Sequence, residues 1–451
     1  MTPFATRRLF CPFVCYAAAG VFTAAAWSAE LPKLPPGWPE YVGPTVTVPG
    51  TFKDQRWQWP QFGGPTGTGA ANESARPPTE WSETKNIVWK LPLDGRGWSS
   101  PVVWENAAYL TAATEDGSRM WGMCVDISSG ELRWRRELFE NEAVSEIHEM
   151  NSYASPTPVT DGQRVWFSFG SYGTACVEAA SGEELWQRRD LKCEHYRGPG
   201  SSPVLVDGKL IVHMDGYDLQ YVVALDAATG ETVWKVDREI DFGSSDGDVY
   251  KAFATPLCIV DATGRKQLIS PASKAVLSYD PATGEELWRV RYGEFSATAR
   301  TLWDGKLLYV NSGFGRAKLL AIDPSGMGDV TDSHVRWVCD QRIGSKASAA
   351  LVDRRIFNVH DSGVATCINA DTGEVVWMER LDGMFSASVL AAGGHVYFFD
   401  HDGKTHVTRP ADEYKEVAVN ELEEGCLASP AVIGDQLLVR TRSALYLIGE
   451  R

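Results

Sequence analysis

The residues best suited to chemistry in this 451-residue chain are Arg96, Trp98, His148, Asn151, Tyr153, Tyr196, Arg197, Lys251 and Phe253. They fall in short polar stretches that precede apolar runs. The densest stretch is Glu146-Ile147-His148-Glu149-Met150-Asn151-Ser152-Tyr153. Histidine titrates near neutral pH and ligates metals. Aromatic faces beside guanidinium and ammonium groups suit a flat, polar or anionic ligand. The plainer alternative is that these loops are tied up by internal hydrogen bonds and the cations are solvated or paired. Phe295, Lys346, Met384, Phe385, Glu423 and Glu424 occupy corresponding places further along. His360-Asp361 and His401-Asp402 read as hairpin turns and not as metal ligands. No Gly-x-Ser-x-Gly, His-Glu-x-x-His or phosphate-cradling glycine loop occurs, and no Cys-x-x-Cys pair suggests a metal. No residue is therefore assigned a catalytic or metal-binding role.

The elements that must position these residues are repeats. One phrase runs acidic residue, two spacers, Ser or Thr, Gly, Glu, two spacers, Trp. It occurs at 126–134 (DISSGELRW), 178–186 (EAASGEELW), 226–234 (DAATGETVW) and 280–288 (DPATGEELW). A variant copy runs from Asn369 through Gly373 and Glu374 to Trp377, and an expanded one from Asp323 to Trp337. The acidic residue starts a tight turn and the glycine supplies positive φ. The tryptophan is placed to pack over the glycine of a neighbouring turn. A spacing of this size is that of propeller blades. A second phrase, a small residue and Pro before an apolar strand, opens each unit: Ser100-Pro101, Ser155-Pro156, Ser202-Pro203, Thr255-Pro256 and Ser429-Pro430, with weaker copies at Thr298, Ser348 and Ser388.

The second phrase counts eight units, but the last has three strands and no tryptophan strand. An unmatched strand, Asn86-Ile87-Val88-Trp89-Lys90, lies near the beginning. Joining it to the last unit gives an all-β, eight-bladed propeller of four-stranded antiparallel blades with no bare edge. Seven blades is the alternative count, because the unit around 401–419 lacks a tryptophan. The loops before the small-Pro phrases then surround one mouth of the central channel, which brings the residues named at the outset together.

The first 28 residues read as a signal peptide: Arg7-Arg8, an apolar run, then small residues before Ala29. Export by the general secretory route is expected, with a twin-arginine route as the alternative. Residues 29–56 form an extended proline-rich leader, and 57–451 form the propeller. The aromatics of 57–65 (WQWPQFGGP) are expected to cap the ring or lie across one face. A net charge of −16 argues against nucleic acid or an anionic membrane as partner, and no apolar run after residue 30 is long enough to span a bilayer. A monomer is expected. Seven cysteines follow the signal segment, an odd number that cannot all pair, and at most one or two bridges are expected.

The Asp-x-x-Thr-Gly-Glu-x-x-Trp segments resemble the tryptophan-docking repeats of the pyrroloquinoline-quinone-like (PQQ-like) β-propeller family, and Trp59 to Pro65 resembles its leader motif. The resemblance spans 57–451. It implies one of two activities. Outer-membrane barrel-assembly propeller lipoproteins of this plan are non-enzymatic scaffolds, whereas quinoprotein dehydrogenases oxidise alcohols or sugars with PQQ and Ca²⁺. No two cysteines here are adjacent, and no Glu, Asn and Asp set aligns with the Ca²⁺ ligands of those enzymes. The resemblance therefore implies a binding or assembly scaffold, with the channel mouth as its site and an unknown protein, small molecule or glycan as its ligand. A quinoprotein oxidoreductase is the alternative and a glycan-binding propeller a further one. No cofactor is assigned; PQQ with Ca²⁺ remains the family's option.

Overall fold

The computed structural model describes residues 56–450. The signal segment and all of the 29–56 leader but its last residue lie outside them. The described chain forms eight antiparallel sheets, so the count is eight blades and not seven. Blade 1 uses Val102–Trp104, Ala107–Ala113, Arg119–Asp126 and Leu132–Glu140 from the axis outward, and each later blade repeats this order. Helix is confined to Thr331–His334 and two single 3₁₀ turns among the described residues.

The ring closes as the strand count requires. Ile87–Pro92 is the outermost strand of blade 8, pairing Trp89 with Leu447 and Lys90 with Tyr446. Blade 8 and the segment of residues 57–86 that precedes its outer strand, called the leader from here on, share one apolar cluster with blades 1 and 7.

Blade-to-blade docking follows from the repeated phrase. Trp89, Trp134, Trp186, Trp234 and Trp337 each leave an outer strand and lie on Gly130, Gly182, Gly230, Gly284 and Gly373 of the next blade. Each indole N–H donates to the carbonyl three residues before that glycine, at 2.7–3.2 Å. Those glycines have φ of +71 to +79°, and a Cβ on any of them would sit 2.6–2.8 Å from the indole. Glycine is thus required twice over, for the turn and for the contact.

The imperfect repeats are repaired by other residues. Trp377 donates to Ala411 at 3.0 Å, and Tyr414 takes the glycine's place with its ring edge-on at 5.4 Å. The expanded copy lays Gly328–Asp329 parallel along the edge of blade 4, and Trp288 turns inward to donate to Gln267 Oε1 at 2.7 Å. Blade 7 has no tryptophan of its own. Trp81 of the leader supplies one, stacking 6.3 Å from Tyr397, with its backbone N–H donating to Asn420 Oδ1. The seven cysteines are all buried and unbridged; Cys124, Cys176 and Cys367 serve as small apolar residues in strands.

Between blades 3 and 4 lies a buried polar network. Arg238 forms two bonds to Asp215, at 2.6 and 2.8 Å, and donates to Ser270, whose Oγ lies 2.8 Å from His213 Nε2. His213 Nδ1 lies 3.0 Å from the Ala254 carbonyl. Burial first, then the Arg238 charge, holds the His213 pKa well below the ordinary histidine value.

Three outcomes are expected. Gly230→Ala loses both turn and dock and destabilises by about 2–4 kcal/mol in urea titrations, whereas Gly208→Ala, at similar φ but facing open space, costs about 1 kcal/mol. Removing residues up to 92 leaves blade 8 with a bare edge, and size-exclusion chromatography should show aggregates where the intact chain is monodisperse. The third concerns pH. The unfolded chain protonates His213 near 6.5, but the folded chain resists it. The stability this histidine contributes is therefore present above about pH 6.5 and is lost as pH falls below it. His213→Gln, which retains a donor and an acceptor, should remove at least about 1 kcal/mol of the acid-induced loss measured between pH 7 and 5.

Candidate functional site

Inner strands bring a small hydroxylated residue from every blade but the fifth to the axis. Their hydroxyls form a girdle in which the backbone N–H of one blade donates to the hydroxyl of the next. The links are Ser100 to Thr157, Thr157 to Ser202, Ser202 to Thr255, Arg300 to Ser348, Ser348 to Ser388 and Ser388 to Ser429, at 2.9–3.4 Å. The small-Pro phrase therefore carries a girdle hydroxyl as well as a strand start. Blade 5 departs from the pattern, placing Arg300 where the other blades place Ser or Thr.

Arg300 has a separate task. Its guanidinium donates to the Phe62 carbonyl and, at 3.0 Å, to Gln61 Oε1. It is buried with no carboxylate partner, and desolvation lowers its pKa to about 9, which still leaves it cationic at neutral pH. Its partners belong to the leader, whose path crosses the ring. Gln58–Trp59 pairs with Trp104 and Val103 of blade 1, and the Pro60 carbonyl accepts from Thr160 of blade 2. Residues 61 and 62 reach Arg300 of blade 5, and Ala70 and Ala71 meet Ala391 of blade 7. Running from blades 1 and 2 to blade 5 and on to blade 7, the leader crosses the axis and floors the channel. Of the 57–65 aromatics expected to cap the ring or lie across one face, Phe62 lines the cavity above and Trp59 packs on Gly64, whereas Trp57 is exposed and packs on Gly434.

Above this floor is a cup of about 400 Å³. Six of the sequence candidates line it: Trp98, His148, Asn151, Arg197, Lys251 and Phe253. Asn151 is occupied as a cross-brace, its Nδ2 donating to the Arg197 and Pro199 carbonyls and its Oδ1 accepting from Ser152 N and Ser155 Oγ. The Trp98 indole donates to the Met150 carbonyl at 3.1 Å, and His148 Nδ1 accepts from Met150 N at 3.2 Å. Lys251 is buried, 2.6 Å from Asp248 Oδ1 and 3.3 Å from Ser296 Oγ, and burial lowers its pKa. Arg197 shares Asp248 at 3.7 Å.

The other three candidates lie off the cup. Arg96 donates to the Glu149 carbonyl and lines an adjacent cleft. Tyr153 is buried under its loop, donating to the Ser145 carbonyl at 2.8 Å and packing on Gly117. Tyr196 is exposed, its ring 5.2 Å from Tyr217. All three belong to the expected loops, but loop membership does not fix which side of the loop a side chain takes. Phe295 and Lys346 do line the cup. Phe385 is core, Met384 is exposed, and Glu423 and Glu424 pair with Lys90 and Ser443. Asp248 and Phe314 are not singled out from sequence, and Phe62 is singled out only as one of the capping aromatics. Asp248 had one visible signal, the acidic run Asp246-Gly247-Asp248 just before Lys251.

One hydroxyl–imidazole pair sits in the wall, Ser386 Oγ with His401 Nε2 at 2.8 Å. Burial and the Lys346 and Arg442 charges lower the His401 pKa. No carboxylate hydrogen-bonds its other ring nitrogen among the described residues, so the pair lacks the group that orients a general base. The PQQ–Ca²⁺ pair implied by the resemblance needs several oxygen ligands for the ion, carboxylates prominent among them. Asp248 is the single carboxylate lining the cup among the described residues, and Lys251 already neutralises it. This donor set does not fit that cofactor.

The sequence model of a family described as outer membrane protein assembly factor BamB matches residues 122–236 and 272–413, more than half of the chain. No curated protein matches in sequence. Among solved structures, BamB from Moraxella catarrhalis is 15% identical with a TM-score of 0.58, over 81% of this chain and 97% of that one. The quinohemoprotein alcohol dehydrogenase from Comamonas testosteroni is 13% identical with a TM-score of 0.62, over 89% and 82%. A europium-containing methanol dehydrogenase is 12% identical with a TM-score of 0.60, over 87% and 91%. At these identities the likeness is one of fold, shared by BamB and the dehydrogenases alike. The tryptophan docks, the closed ring of eight blades and the family match together place this chain in the BamB family of PQQ-like repeat propellers.

Proposed function

We propose that this protein is an exported binding scaffold of the cell envelope that takes its ligand in the central cup. The observation that carries this reading is the make-up of the cup. It is blind at the Phe62–Arg300 floor and walled by Trp98, Phe253, Phe295 and Phe314. Its cations are Arg197, Lys251 and Lys346, and its one carboxylate is already paired. Such a wall binds and orients, but it supplies neither an oriented base nor a Ca²⁺ cage. The family description, an assembly factor, and the signal-like first 28 residues support the same reading.

The purified protein should bind the anionic aromatic dye anilinonaphthalenesulfonate at one saturable, salt-sensitive site. Phe253→Ala should weaken that binding about tenfold, read by fluorescence titration. Titration with PQQ and Ca²⁺ should give no saturable absorbance change and no dye-linked oxidation of ethanol or glucose. Quinone uptake with turnover would instead establish the dehydrogenase reading.

A further inference from the structure

The girdle hydroxyls have unspent protons. The oxygens of Thr157, Ser202, Thr255, Ser388 and Ser429 each accept a backbone N–H, and none donates its own proton to a protein acceptor among the described residues. Ser100 Oγ has no partner at all. All six side chains are buried and all line the cup. A buried donor left without an acceptor is costly, and a hydroxyl that has accepted one bond can still donate one and accept another. The cup thus carries a crown of groups that both give and take hydrogen bonds.

Three features narrow the ligand. The crown asks for many oxygens on one small body. The faces of Trp98, Phe253, Phe295 and Phe314 ask for a ring with C–H faces. Arg197 and Lys251 share the single Asp248, while Lys346 lies 3.6 Å from Asp361 outside the lining, so the wall carries excess positive charge. An aryl acid would leave most of the crown unpaired, and an inorganic oxyanion would leave the aromatic walls uncovered. We propose that the cup binds an acidic sugar, a hexuronic acid either free or at the end of a glycan, with its hydroxyls in the crown and its carboxylate toward the cations. This rests on the cup being the ligand site.

The test is displacement of anilinonaphthalenesulfonate from the intact protein. Glucuronic or galacturonic acid should displace it, while galactose and the methyl ester of galacturonic acid should be about tenfold weaker. Ser100→Ala removes a hydroxyl that the fold does not use. It should weaken uronate binding about fivefold with an unchanged melting temperature. Lys346→Met should narrow the gap between acid and ester. Trigalacturonate binding more tightly than the monomer identifies a glycan end as the source, and equal binding identifies the free acid. The proposal is overturned if the dye binds but no uronate displaces it, if acid and ester bind alike, or if Ser100→Ala leaves uronate affinity unchanged. Failure of the dye itself to bind counts against the cup as a site, a separate result.

Discussion

The pairing of Ile87–Pro92 with the last strand of the chain sets what the rest of the molecule can be. A propeller whose final blade lacked an outer strand would expose a row of unpaired backbone groups and leave blade 8 undocked from blade 1. Trp89 answers both needs, lying in the closing strand and resting on Gly130 of blade 1. The closure also fixes the leader's route. Gln58–Trp59 is committed to the inner edge of blade 1, and Ile87–Pro92 to the outer edge of blade 8. The chain between them is longer than the direct path needs, and it spends that length crossing the axis to Arg300 and back past blade 7. The floor of the cup is therefore tied to the closure of the ring.

Two radial sets of contacts hold the blades in register. At the rim, indoles rest on glycines and donate to carbonyls. At the axis, backbone N–H groups donate to hydroxyls of the next blade. The rim docks bury aromatic area, on the order of 2–3 kcal/mol each, and add to the apolar faces packed between neighbouring blades. The axial bonds are individually weaker, about 1 kcal/mol, but they aim every inner strand and so decide what faces the channel. Arg300 shows the trade at one position. It gives up the girdle link that a hydroxyl would make and in return anchors the floor through carbonyl and amide oxygens, with no acid to offset its burial.

The rim was legible in the sequence because each dock needs a fixed spacing and a fixed residue type. The tryptophan–glycine pairs follow from that, and the small-Pro phrase adds the count of eight and the need for a closing strand. Where the spacing breaks, the repair was not legible. Nothing local marks Trp81 as the tryptophan that blade 7 lacks, since it arrives from hundreds of residues away along the chain. The loops around the mouth were legible as loops, but the side each residue presents was not. Tyr153 and Tyr196 follow loop twists that a repeat count does not encode; Tyr196 itself has φ +60°. Phe62 and Phe314 reach the cup from the leader and from a turn outside the small-Pro pattern.

The charge distribution has a physical logic of its own. A chain with net charge −16 repels anions at long range, yet the cup holds Arg197, Lys251 and Lys346 against one lining carboxylate, with cationic Arg300 in its floor. At physiological ionic strength the exterior field decays over roughly 8 Å, whereas charges in a partly dry cup are screened far less. An anion therefore feels the exterior weakly and the cup strongly once it passes the mouth. The acidic exterior does not contradict an anion site inside. It adds only a weak, screened penalty to whatever part of a ligand remains outside the cup.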